Sequence, residues 1–166
     1  MVTWTSVEEE LLSIAGSVPD PELPVLTLED LGVVRGVEVH DPDRVTVRLT
    51  PTYTGCPAIE AMSADIERVL HDHGVAQVSV ETVLAPAWST DDISAEGRRK
   101  LAEFGIAPPR PHDTASGGPV PLALSVRCPH CGSTETELLS RFSSTACKAL
   151  RRCVACQEPF DHFKEL

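Results

Sequence analysis

Apolar and polar positions change their period several times along the chain, and each change predicts an element. Leu11, Leu12, Ile14 and Ala15 follow the capping box Ser6-Val-Glu-Glu9 at helical spacing, which predicts a helix from about residue 6 that stops at Gly16. In Asp20-Pro21-Glu22-Leu23-Pro24 two prolines exclude helix and hold the two carboxylates on an extended turn. Thr27-Leu-Glu-Asp30 is a second cap, opening about one helical turn that Gly32 ends. Val33 to His40 and Arg44 to Thr50 are β-rich runs, the second alternating apolar and polar, and Asp41-Pro42-Asp43 between them predicts a hairpin. After a loop ending in Gly55-Cys56-Pro57, residues Ile59, Met62, Ile66, Val69 and Leu70 recur on one face of a helix that ends near His73-Gly74. Val75 to Leu84 reads as a third strand, placed parallel to the second by a right-handed crossover. Ser94 or Thr90 then caps a further helix reaching about Phe104.

This order predicts an α+β fold: a small two-layer α/β domain over residues 1–107, with a mixed sheet of three or four strands. Residues 108–122 are a linker by composition, stiff at the prolines and loose at Gly117-Gly118. Residues 123–166 then form a β-ribbon whose hairpin holds Thr136 to Phe142 and Ala149 to Arg152, with Pro159-Phe-Asp-His-Phe163 as its last strand.

The ribbon is assigned by its cysteines. Cys128-Pro-His-Cys131 and Cys153-Val-Ala-Cys156 are two tight knuckles, each aiming two sulfurs at one centre, and together they present four thiolates to one metal ion. Zinc is the expected occupant, although the same four sulfurs also suit a single iron. A closed four-sulfur shell leaves no open position for water or substrate, so its role is structural. A segment of this size buries too little to fold on its core alone, and a metal makes up the shortfall. Cys147 lies outside both knuckles, as a spare thiol near the metal or a core cysteine, and His130 between the first two ligands points away.

Charge separates the two halves. Residues 1–107 carry 7 Lys and Arg against 19 Asp and Glu, whereas residues 123–166 carry 6 against 5. Only Lys148, Arg151 and Arg152 form a basic group, too little to neutralise phosphates, so nucleic acid is not an expected partner. The first residues lack a basic n-region and an apolar h-region, and no apolar run spans a bilayer. Together with metal-type cysteine spacing this predicts a cytoplasmic protein with reduced thiols and no membrane partner.

In the first domain Cys56 carries the chemistry. It precedes a helix N-terminus, where backbone N–H groups and the helix dipole are expected to lower its pKa. Three readings stand: a buried small cysteine, a contact for iron or a cluster, and a covalent nucleophile. The last needs an adjacent base, and His40, His71 and His73 sit at a strand end and a helix end. Trp88 is read as a packing anchor, and Asp91-Asp92 as a solvated helix approach.

A family resemblance rests on particular stretches. Asp20-Pro-Glu-Leu-Pro-Val, Leu31-Gly-Val-Val, Thr50-Pro-Thr-Tyr-Thr-Gly-Cys-Pro57 and the helix after them resemble iron–sulfur maturation factors of the SufT type. Leu84-Ala-Pro-Ala-Trp-Ser-Thr-Asp91, Cys128-Pro-His-Cys-Gly-Ser, Ser144-Thr-Ala-Cys-Lys-Ala-Leu and Glu158-Pro-Phe-Asp-His-Phe-Lys164 narrow the likeness to PaaD-type components of bacterial phenylacetyl-CoA ring-epoxidase systems. The resemblance implies an accessory, non-catalytic role in aerobic phenylacetate catabolism, beside a di-iron oxygenase and its iron–sulfur reductase as protein partners. It implies assistance in building their iron or iron–sulfur centres, with Cys56, Asp20 and Glu22 as iron or cluster contacts; the alternative is a structural adaptor that never touches iron. The residues agree that oxygen chemistry lies elsewhere, since the chain has no Glu-x-x-His pairs for a di-iron site and no Rossmann glycine pattern. Homodimer formation is left open.

Overall fold

A computed structural model of the chain describes residues 4–111 and 125–166, in two compact units, Met1–Gly97 and Arg98–Leu166. The expected linker therefore lies outside the described residues from position 112 on, as do the first two residues of the expected ribbon segment.

In the first unit, helix α1 spans Trp4–Gly16. It starts ahead of Ser6, so that residue sits inside the first turn and does not cap it; helix ends fray over a residue or two, and local spacing does not locate them. The short helix α2, Leu28–Leu31, is capped as expected, with Thr27 accepting from Asp30 N and the Asp30 carboxylate accepting from Thr27 N. Gly32 closes it at φ 68°, and a Cβ there would lie 2.5 Å from the Asp92 carbonyl oxygen, so both conformation and space require glycine. Strands β1 (Val34–Asp41) and β2 (Arg44–Leu49) form the hairpin, and β3 (Gln77–Thr82) lies parallel to β2. The sheet order is β1-β2-β3.

Helix α3, Ala58–Asp72, buries Met62, Ile66 and Leu70 on the stripe its spacing predicts and packs on β3, while α1 packs on β1. Val45, Val47 and Leu49 of the central strand, with Val33, Leu26 and Leu28, complete a core whose side chains are almost wholly buried. Burying each such side chain contributes about 2 kcal/mol, which gives this unit a conventional hydrophobic basis. Ser89 caps a 3-10 turn at Thr90–Asp92, and the Ser94 hydroxyl accepts from Gly97 N to cap helix α4, Ala95–Glu103.

The second unit holds a four-stranded sheet in the order β4-β7-β6-β5. Strands β5 (Thr136–Ser140), β6 (Lys148–Cys153) and β7 (Pro159–Phe163) are antiparallel neighbours, as the ribbon pattern predicts. The fourth strand differs from expectation. Ile106–Ala107, at the end of the segment read as the first domain, forms β4 and pairs in parallel with Asp161 and His162 of β7. A two-residue strand carries no period, and only the partner strand reveals it. The apolar core here is small, made of Ala107, Val126, Phe160 and two cysteines, Cys128 and Cys153. Among the described residues no helix is long and apolar enough to cross a membrane.

Candidate metal centre and thiol site

The turn after Arg127 and the loop that follows β6 bring the two knuckles face to face. Gly132 N donates to Cys128 O, and Gln157 N donates to Cys153 O, so each knuckle is closed by its own backbone. The four sulfurs of Cys128, Cys131, Cys153 and Cys156 all lie within 4.8 Å of one another. Cys128 and Cys156 are 3.8 Å apart, and Cys131 and Cys153 3.5 Å. Four thiolates about 2.3 Å from a central zinc stand roughly 3.8 Å apart, so these separations fit that ion, and all are far beyond a disulfide bond.

The electrostatics point the same way. Cys153 is pulled down to about 7, first by the backbone N–H of Cys156. Cys156 is pushed up to about 12: a backbone N–H from Glu158 favours its thiolate but is outweighed by burial and three neighbouring sulfurs. Four like charges cannot share this space unaided, and a divalent cation removes the conflict. His130 takes no part in the four-sulfur group; its ring lies against Gly105, whose added Cβ would meet it at 3.3 Å. Cys147 also stands outside the group, a buried thiol 3.0 Å from the Thr145 hydroxyl, which is the core-cysteine alternative.

The first unit holds the second candidate. Cys56 is 8% exposed at the entry to α3. The Ala58 N–H does reach its sulfur, as a helix N-terminus should, and the hydroxyls of Thr52 and Tyr53 also favour the thiolate. The expected lowering of its pKa is nevertheless overturned: burial pushes the thiol up, and the negative charge of Glu22 adds to that. Glu22, from a distant part of the chain, thus comes near enough for its charge to act on Cys56. Asp20 is turned inward: its carboxylate accepts from Glu22 N at 2.9 Å and Leu23 N at 2.6 Å, and burial raises its pKa. It holds the turn that presents Glu22.

None of the three candidate histidines is bonded to the thiol. His40 pairs with the Thr46 hydroxyl at 2.9 Å, while His71 and His73 bond the carbonyls of Val75 and Val69 at the far end of α3. Trp88 is a packing anchor, its indole N–H bonded to Leu31 O at 2.7 Å. Asp92 accepts from Ser89 N and pairs with Arg35 at 3.0 Å, so it is a capping and bridging carboxylate. The hydroxyls around Cys56 were not singled out by sequence reasoning. Thr50, Thr52, Tyr53 and Thr54 line a cavity of about 120 Å³ with Leu84 and Trp88, and the buried Thr50 hydroxyl has no hydrogen-bond partner. The signal available was the dense run of hydroxyls in Thr50-Pro-Thr-Tyr-Thr.

Comparison with known proteins matches a different family model to each part of the chain. Residues 113–164 match the family model described as PaaD zinc beta ribbon domain, and residues 8–84 match the one described as iron-sulfur cluster assembly protein. A relative from Escherichia coli, described as one component of a "Putative 1,2-phenylacetyl-CoA epoxidase", is 45% identical over 155 residues, which is 93% of this chain and 91% of that one. The chain belongs to the PaaD family. Within that family the N-terminal unit keeps a separate likeness. A "Fe-S protein maturation auxiliary factor" from Porphyromonas gingivalis is 34% identical over 99 residues, 59% of this chain and 93% of the relative. The crystal structure of a domain of unknown function, DUF59, from Bacillus anthracis superposes with a TM-score of 0.54 at 27% identity, covering 58% of this chain and 92% of that one. The PaaD family thus joins an iron–sulfur-assembly-type α+β unit to a zinc ribbon carrying a four-cysteine metal site.

Proposed function

We propose that this chain is an accessory factor of a phenylacetyl-CoA ring-epoxidase system in aerobic phenylacetate catabolism, where it assists assembly of iron or iron–sulfur centres in the oxygenase or its reductase. The kinship with an epoxidase component and with a maturation auxiliary factor supports the accessory role. The observation that carries the iron reading is that Cys56 lies within electrostatic reach of the Glu22 carboxylate, inside the segment matched to iron–sulfur cluster assembly proteins. A thiolate and a carboxylate form a donor pair suited to ferrous iron. Asp20 positions that carboxylate, and the Thr52 and Tyr53 hydroxyls orient the sulfur. Because the thiol is held protonated, taking up the cargo ion is coupled to proton release, and a site that charges only when loaded lets go easily.

In the ribbon, Cys128, Cys131, Cys153 and Cys156 hold one structural zinc, which supplies folding energy and no chemistry on substrate. The chain itself carries no catalytic residue in this reading, and it works among protein partners in the cytoplasm. The test is anaerobic purification of the wild type and Cys56→Ser, with iron, zinc and acid-labile sulfide measured before and after cluster reconstitution. Iron that disappears with Cys56 while one zinc remains is the expected result. One zinc and no iron in both proteins would sink the iron-handling mechanism.

The adaptor alternative has an observation of its own: a buried, protonated thiol is also what a packing residue looks like. A persistent stoichiometric complex with the oxygenase components, unaffected by Cys56→Ser, would establish it.

A further inference from the structure

Strand β5 pairs with β6 alone, so among the described residues its other edge carries no strand. On this strand and just beyond it stand three of the most exposed large apolar side chains of the second unit: Leu138 and Leu139, each 49% exposed, and Phe142 at 64%. A register shift between Leu138 and Ser140 inserts an extra residue, and such a bulge re-aims side chains, here leaving two successive leucines in solvent. Val154, also 49% exposed, is tied to the opposite, N-terminal end of the strand by its N–H to Glu135 O at 2.8 Å. Bulges and charges also serve to keep edges apart, but a protective edge would not display three apolar side chains at the same place.

The occupant can be read from the charges. Exposed Glu135 stands before the strand and exposed Arg141 follows it, so β5 has an acidic beginning and a basic end. A strand of that polarity matches itself when turned around. With a two-fold axis at Leu138, Leu138 meets Leu138 of the second copy, Thr136 meets Ser140, and Glu135 meets Arg141, twice over. A parallel arrangement would set like charges together. Glu137 stays engaged with Arg152 of its own copy.

We infer that this β5 edge is a self-association surface, joining two copies of the chain into a two-fold dimer through their ribbons. The apolar area offered is on the order of 400 Å² per copy, the size of a functional patch. Twice that falls in the weak, transient class, so the dimer is reversible at micromolar concentration. This inference stands whether or not Cys56 handles iron, since it uses none of the same residues.

Sedimentation velocity on the zinc-loaded full chain, from about 1 to about 500 µM, should show a monomer–dimer equilibrium. Leu138→Glu should raise its Kd at least tenfold, or about 1.4 kcal/mol. Arg141→Glu should raise it about threefold, and the double change Glu135→Arg with Arg141→Glu should recover the wild-type value, a rescue that damage to the fold would not give. Zinc content and circular dichroism confirm that each variant is folded. A monomer at every concentration overturns the inference and leaves this face to a different protein. A dimer indifferent to Leu138→Glu overturns it as well, by placing the contact elsewhere.

Discussion

The two units set their cysteines in opposite surroundings. In the ribbon, four thiols converge within 4.8 Å of one another around a core of only a few apolar side chains, so the metal site and the core are nearly the same object. In the first unit, a single thiol, Cys56, is one small member of a full hydrophobic core in which Leu26, Leu28, Leu49, Met62, Ile66 and Leu70 are almost completely buried. The difference teaches where each cysteine's cost falls. On this comparison a ribbon cysteine is tied to the fold through the metal, whereas the role proposed for Cys56 is one that its substitution tests without touching the metal site.

The sharpest break of that comparison is metal withdrawal. Structural zinc sites of this kind contribute on the order of 10 kcal/mol to folding, so chelation or Cys153→Ser should abolish the hydrogen-exchange protection of β6 and β7. Strand β2 and helix α3 should keep theirs. Protection retained in β6 without metal would refute the structural assignment. Next in size, Ile66→Ala leaves a cavity in the apolar core and should cost about 3 kcal/mol, read as a lower denaturation midpoint in the first unit with zinc content unchanged.

Asp20 gives a smaller and more discriminating test. Asp20→Ala removes the acceptor for Glu22 N and Leu23 N and should cost about 1 kcal/mol. Asp20→Asn keeps the acceptor and removes a buried charge, so it should be neutral or mildly stabilising. The raised pKa works in the same direction: the native state favours the protonated form, so ionisation above the ordinary carboxylate range erodes stability and Asn escapes that loss. Asn and Ala behaving alike in urea denaturation would deny Asp20 its positioning role.

The smallest effect concerns His162, 7% exposed on β7, whose pKa is lowered chiefly by burial. The unfolded chain takes up a proton near pH 6.5 that the folded ribbon resists. The contribution of neutral His162 is therefore complete above that pH and is lost as the pH falls below it. With zinc present throughout, stability should decline less steeply between about pH 7 and about pH 5.5 in His162→Gln than in the wild type. Equal slopes would mean that the ring is hydrated.

How far these sites could be read from residues alone varies with the range of the forces involved. The ribbon ligands were fully legible because a knuckle is a local turn: two sulfurs two residues apart meet one centre whatever lies around them. Helix α3 was legible for a similar reason, since a single face of apolar residues has one way to be buried. The start of α1 was not, because Ser6 caps only if the chain before it leaves the helix, and it does not. Cys56 was half legible. Its place before a helix followed from Pro57 and the apolar stripe, but the direction of its pKa shift depended on burial and on Glu22, both set by distant chain.

By itself the sequence determined the periodic elements, the capping motif at Thr27, the hairpin turn and the four-sulfur centre, and it narrowed the cap of the last helix to Ser94 or Thr90. These are interactions among residues a few positions apart, where spacing is geometry. Only the tertiary structure decided that Ile106–Ala107 completes the ribbon's sheet, that Asp20 turns inward while the charge of Glu22 acts on the thiol, and that Asp92 is spent on Arg35 and Ser89. Each of these depends on which surfaces far apart in the chain come to exclude water from one another, and burial of that kind has no local signature.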